Sequence, residues 1–179
     1  MKNLLSSASL IGAVVLALIA GFTDFRWRRI PNWLTLPGCL VGIAINVATG
    51  GWGGLKTSLL GVGLGLGLLL PFVLLRALGA GDWKLAGALG AFVGWSLLLD
   101  LLMASIFVAG IMAAGLVVYK GRLKETLRNM WHIIWSLVRM RMPGMQVSLD
   151  NPQSLKVPYG VALALTVVLY ASLSFAKVI

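Results

Sequence analysis

An all-α, polytopic membrane protein, with six transmembrane helices and one amphipathic helix in the cytoplasmic membrane interface, is the fold this chain predicts. Three observations lead there. Of its 179 residues, 59% are hydrophobic and 11% charged, against roughly 45–50% apolar and about 25% charged in soluble domains. Mean hydropathy is +0.95, more apolar surface than a water-soluble fold of this size can hide. The basic residues fall between apolar stretches, and mostly in alternate gaps.

A crossing helix needs about 20 mostly apolar residues. The first candidate runs from about Leu4 to Phe22. A signal peptide is the competing reading, but Leu18 stands where cleavage after Ala20 would want a small side chain, and the apolar stretch is too long. The second span is about Trp33–Thr49, closed by the glycine cluster Gly50-Gly51-Trp52-Gly53-Gly54. A third runs from about Leu55 to Leu78. A short fourth, about Leu85–Leu99, and a full fifth, about Leu101–Tyr119, are expected to turn at Asp100; the last covers about Val157–Ala176.

Within the third span, Gly61 and Gly65, and likewise Gly63 and Gly67, stand four apart and so share faces. Such faces let helix backbones approach closely in lipid. Residues 122–142 differ in kind. Leu123, Leu127, Met130, Trp131, Ile134, Leu137 and Val138 recur at helical spacing, with Lys124, Glu125, Arg128, His132 and Arg139 elsewhere. A basic amphipathic helix of this type lies in the interface rather than across it.

Charge sets the orientation. Arg26, Arg28 and Arg29 follow the first span, Arg76 and Lys84 flank the loop after the third, and Lys120, Arg122, Lys124, Arg128, Arg139, Arg141 and Lys156 lie between the fifth and sixth. Basic loops stay cytoplasmic, which puts 23–32, 76–84 and 120–156 inside and both termini outside. The net charge of +10 then answers to anionic lipid headgroups, not to nucleic acid. The whole chain, 1–179, reads as one integral-membrane domain.

Only five residues are acidic: Asp24, Asp82, Asp100, Glu125 and Asp150. Glu125 reads as a solvated charge among bases; Asp100 and Asp150 read as turn residues. Asp24 and Asp82 each end an apolar helix on the predicted cytoplasmic side, and ionisable groups at membrane depth are costly enough to suggest function. Two carboxylates held together cannot both ionise easily, which leaves one acid and one base. Such a pair can activate a water against a peptide carbonyl and protonate the leaving amine. No nucleophilic triad competes: His132 reads as a surface residue and Cys39, the single cysteine, as a small hydrophobe. No metal or other cofactor is expected, since two carboxylates are a thin ligand set for a hard cation.

Context sharpens the pair. Asp24 opens Asp24-Phe25-Arg26-Trp27-Arg28-Arg29-Ile30-Pro31-Asn32, in which Pro31 restricts the backbone before the next helix. Asp82 closes Gly79-Ala80-Gly81-Asp82, followed by Trp83 and Lys84. Gly79 and Gly81 permit tight turning and close approach of a substrate strand. Lys84 could stabilise a charged Asp82 or serve only as an inside anchor.

These motifs, with Pro158-Tyr159-Gly160 opening the last span, resemble the bacterial type IV prepilin peptidases, a family of GxGD intramembrane aspartyl proteases. The resemblance covers the number and order of spans along essentially the whole chain. It implies that Asp24 and Asp82 are the catalytic pair, and that the substrates are prepilin-like peptides with a basic leader and a hydrophobic helix. Long, bifunctional members carry an N-terminal region with paired CxxC motifs and also methylate the new N-terminus. This chain opens at its first span with Cys39 alone, and so looks like the peptidase-only form associated with Flp-type tight-adherence pili. Two rivals stand beside this reading: an ion or proton carrier using the aspartates, and a structural subunit of a secretion or pilus complex. A carrier would want polar residues through the bilayer core, where Asn46 and scattered Ser and Thr are all there is.

Overall fold

The computed structural model describes residues 7–75, 78–121, 126, 128, 131 and 158–176. Among the described residues the regular structure is helical: α1 (Ser7–Trp27), α2 (Asn32–Leu74), α3 (Ala80–Tyr119) and α4 (Tyr159–Ala176). All four are long and apolar enough to cross a membrane, as expected of a multi-pass membrane protein. The chain divides into two compact units, Met1–Val108 with Pro158–Ile179, and Ala109–Val157.

Two of the helices are not straight rods. α2 contains one non-helical residue, Gly51, at φ 54 and ψ −134. α3 contains one, Gly94, at φ 75 and ψ 177. Both conformations are closed to residues with a β-carbon. At Gly51 the chain doubles back. Residues 46 and 58 would stand about 18 Å apart on a straight helix, yet Asn46 Nδ2 donates to Ser58 Oγ at 2.9 Å. Gly94 does the same to α3: a β-carbon placed on Gly90 would lie 2.9 Å from Leu98 Cδ2.

The expected reversal after the second span therefore falls inside the glycine cluster, as read. The one expected at Asp100 does not occur there. α3 runs helically through Asp100 and turns at Gly94, because glycine alone tolerates that backbone and Thr57 closes over it (a β-carbon on Gly94 would crowd Thr57 Cγ2). Helical segments 32–50, 52–74, 80–93 and 95–119 result. The interfacial helix expected over 122–142 lies almost wholly outside the described residues; Thr126, Arg128 and Trp131 are helical.

α1 packs along α4 and, less extensively, α2. The centre of the first unit is 80–93, whose Leu85, Leu89, Phe92 and Val93 are buried with Leu16, Ala20, Leu98 and Leu163. Outward faces are apolar too, with Phe22, Leu40, Leu60, Phe107 and Leu173 exposed, as lipid-facing surfaces require. The two glycine faces of 52–74 behave differently. A β-carbon on Gly61 would collide with the Gly90 carbonyl and one on Gly65 would lie 2.7 Å from the Ala86 carbonyl, whereas Gly63 and Gly67 face open space.

Four segments meet at Asn46. Its amide nitrogen lies 2.8 Å from the Ala91 carbonyl, 2.9 Å from that of Phe92 and 2.9 Å from Ser58 Oγ. Its amide oxygen accepts from Ser9 Oγ at 2.6 Å, and Ser58 Oγ donates to the Ala91 carbonyl at 2.7 Å. This buried knot joins α1 to both arms of the Gly51 hairpin and to 80–93.

Candidate active site

The site is assembled from helix ends. α1 continues past the expected end of its span, so that Asp24 sits in its last helical turns, only 7% exposed. The Arg28 amide donates to the Asp24 carbonyl at 2.9 Å, and Arg28 itself, at φ 53, leaves the helix in the left-handed region. Ile30 then folds inward and is buried. Pro31, extended at φ −75 and ψ 148, precedes α2 and accepts from the Leu34 amide at 3.1 Å.

Asp82 lies in the first turn of α3, where an acid suits the positive end of the helix dipole. That start is braced twice. The Trp83 amide donates to the Gly79 carbonyl at 3.2 Å, and the Trp83 indole donates to the Leu66 carbonyl at 2.7 Å. Both motif glycines are used sterically: a β-carbon on Gly79 would lie 2.9 Å from Asp82 Oδ2, and one on Gly81 would lie 3.1 Å from Ile30 Cβ. Gly81 thus lets the α3 start press against the segment that follows Asp24.

Asp24 and Asp82 come together. They line one cavity of about 460 Å³, shared with residues 28–32 and 79–81. Asp24 acts electrostatically on Asp82, and the Gly160 amide at the start of α4 faces both carboxylates. Two oxygens, Asp24 Oδ2 and Asp82 Oδ1, are nonetheless buried with no hydrogen-bond partner of standard geometry among the described residues. Buried polar atoms are seldom left so in a structural role. Arg28 supplies the nearby positive charge on the Asp24 side.

Of the other residues singled out in the sequence, Pro31, Asn32, Gly79 and Gly81 line the same cavity. Lys84 donates to Asn32 Oδ1 at 2.9 Å, and so ties the α3 start to the α2 start. Asp100, in α3, does not line the cavity, and Glu125, His132 and Asp150 lie outside the described residues. Among the described residues no three His, Cys, Asp or Glu side chains converge as a metal site would need. Ile30, Arg28 and Gly160 stood in the sequence only as members of motifs, without a role of their own assigned to them; the structure sets Ile30 and Arg28 in the cavity wall and Gly160 against Asp24.

A helical, multi-pass membrane protein with a paired-carboxylate site where three helix ends meet is the class these features define. The sequence profile of the type IV leader peptidase family matches residues 11–114, more than half of the chain and both aspartates. The chain belongs to that family. It is 34% identical over 121 residues to a prepilin leader peptidase/N-methyltransferase of Aeromonas hydrophila, covering 64% of this chain and 41% of that protein. The corresponding protein of Aeromonas salmonicida (strain A449) is also 34% identical, with 64% of this chain and 40% of that protein covered. The match thus spans about two-fifths of the length of these curated relatives. No solved structure matches the chain significantly.

Proposed function

We propose that this protein is an intramembrane aspartyl endopeptidase that removes the basic leader from type IV prepilin-like precursors, with Asp24 and Asp82 as its catalytic pair. The observation that carries the reading is their convergence: two carboxylates from separate helices share one open cavity, each with a buried oxygen that has no hydrogen-bond partner of standard geometry among the described residues. Family membership supports the reaction class.

In the cycle, one aspartate is a carboxylate and the other a carboxylic acid. The carboxylate takes a proton from water as the water oxygen bonds to the scissile carbonyl carbon, and the acid hydrogen-bonds the carbonyl oxygen. The tetrahedral centre then collapses, the C–N bond breaks, and the amine leaves with a proton from the pair. The two carboxyls hold one proton before and after, and they titrate as a unit. Gly79 and Gly81 leave room beside Asp82 and Ile30 that side chains would fill, which suits close approach of a peptide strand.

The proposed setting is a bacterial inner membrane crossed six times, by 7–27, 32–50, 52–74, 80–93, 95–119 and 159–176. The Asp24 and Asp82 ends and the basic stretch 120–156 face the cytoplasm, by the charge bias, and the amphipathic stretch 122–142 lies in that interface. Membrane lipid is the surrounding partner. The substrates are proposed to be Flp-type precursors, following the family resemblance.

The test is co-expression with an Flp-type precursor. Asp24→Asn and Asp82→Asn should each stop leader removal while the protein remains inserted and folded. Processing at the parental rate by either variant would strike that residue from the pair.

A further inference from the structure

Asp24 and Asp82 reach their cavity from α1 and α3, and a third element comes up to both carboxyls. It is the first turn of α4. The first amides of a helix have no intrahelical acceptor, and that of Gly160 faces both Asp24 and Asp82. The fit is close. A β-carbon on Gly160 would stand 2.8 Å from Asp24 Oδ2, 3.1 Å from Asp24 Cβ and 2.9 Å from Ile30 Cδ1. The orphaned Asp24 Oδ2 is therefore directed at this glycine, and any side chain there would push it away.

The turn is itself anchored. Ser105, fully buried on segment 95–119, donates its hydroxyl to the Leu102 carbonyl at 2.8 Å. Its Oγ also shares a 2.7 Å hydrogen bond with the Tyr159 hydroxyl, in which either oxygen can donate. Tyr159 lies within electrostatic reach of Asp82. The Pro158 carbonyl accepts from the Val161 amide at 3.2 Å, closing the turn. The family match, residues 11–114, stops before α4.

We infer that Gly160 is a positioning residue for the reaction: its backbone holds the two aspartates in register, and the Tyr159–Ser105 pair fixes the turn that carries it. The inference rests on Asp24 and Asp82 being the catalytic pair.

The experiment measures leader cleavage in detergent by the full chain and by Asp24→Asn, Asp82→Asn, Gly160→Ala, Tyr159→Phe and Gly21→Ala, with thermal unfolding of each. Gly21→Ala is the packing control. Its β-carbon would stand 2.7 Å from Ala164 Cβ, crowding the same α1–α4 pair about one turn from the carboxylates. Gly160→Ala should lower kcat about 100-fold with KM within about threefold, as a misplacement near 1 Å can do. Tyr159→Phe should lower kcat about fivefold, the worth of one hydrogen bond, again at constant KM. Gly21→Ala should melt lower but keep the parental kcat per folded molecule.

Inactive aspartate variants beside a Gly160→Ala protein of parental kcat would overturn the inference and leave the pair standing. So would activity lost only in proportion to the unfolded fraction, in Gly160→Ala and Gly21→Ala alike. If Gly160→Ala does not fold, Tyr159→Phe decides: lower kcat at constant KM supports the inference, and parental kcat sinks it. Active aspartate variants would instead remove the pair, and the inference with it.

Discussion

Replacing Asn46 with alanine should destabilise the fold without touching catalysis. The amide group has two hydrogens and three acceptors in range, Ser58 Oγ, Ala91 O and Phe92 O at 2.8–2.9 Å, and its oxygen accepts from Ser9 at 2.6 Å. At most two donated bonds form fully at once, so three bonds are lost. Polar contacts between membrane helices average about 0.6 kcal/mol each, with a maximum near 1.7. Three come to about 2 kcal/mol, or roughly a 30-fold fall in the ratio of folded to unfolded protein. Ser58 keeps its bond to the Ala91 carbonyl, and Ser9 has further interactions, which limits the penalty.

Reversible denaturation in mild micelles, followed by tryptophan fluorescence, measures the change, and kcat per folded molecule is taken on the same samples. Ser9→Ala should cost about a third as much. A loss below about 0.5 kcal/mol for Asn46→Ala would mean that the knot is not what locks the Gly51 and Gly94 hairpins together. A kcat reduced tenfold in fully folded protein would show the knot to be coupled to the aspartates, contrary to the geometry.

Two further outcomes follow from the site and its topology. Lys84→Met should retain kcat within about fivefold, since an exposed contact such as Lys84–Asn32 contributes at most about 1 kcal/mol; a far larger loss at constant KM would make Lys84 a partner of Asp82. In a Cys39→Ala background, an impermeant thiol reagent applied to intact cells should label Trp95→Cys, beside the Gly94 turn, but neither Arg28→Cys nor Ala80→Cys. Labelling at 28 without 80 would put the aspartates on opposite membrane faces and end the protease reading.

What could be read from the residues, and what could not, divides along physical lines. Asp24 and Asp82 stood out because a charge in an apolar chain is costly wherever it lies, and the cost is visible in one dimension. The Gly51 reversal was legible because five neighbouring positions, Gly50 to Gly54, break the apolar pattern together. The Gly94 reversal was not. It sits in an unbroken apolar run, and what accommodates it is distant in sequence: Thr57 lies against Gly94, and Asn46 and Ser58 take the carbonyls just before it. Asp100 looked like punctuation but is an acid on a continuous helix. Lys84 invited pairing with Asp82 by proximity, yet residues two apart on a helix do not face each other, and Lys84 reaches Asn32 instead.

The same division explains why the site looks simpler in sequence than in space. A carboxylate announces itself by residue type, whereas a backbone amide is common to every position. Gly160 enters the sequence as part of the Pro158-Tyr159-Gly160 motif, but what its missing side chain is for depends on carboxylates contributed from α1 and α3. The hairpins matter here as well. Because the chain reverses at Gly94, the buried segment 80–93 carries Asp82 at its start while 95–119 returns Ser105 to the same end, where it meets Tyr159. Without that reversal, positions 82 and 105 would lie about 34 Å apart along one helix, and α4 could not be anchored to the segment beside the aspartate it faces. The turn at Gly94 is therefore a condition for the site, although it lies at the far end of the segment from the carboxylates.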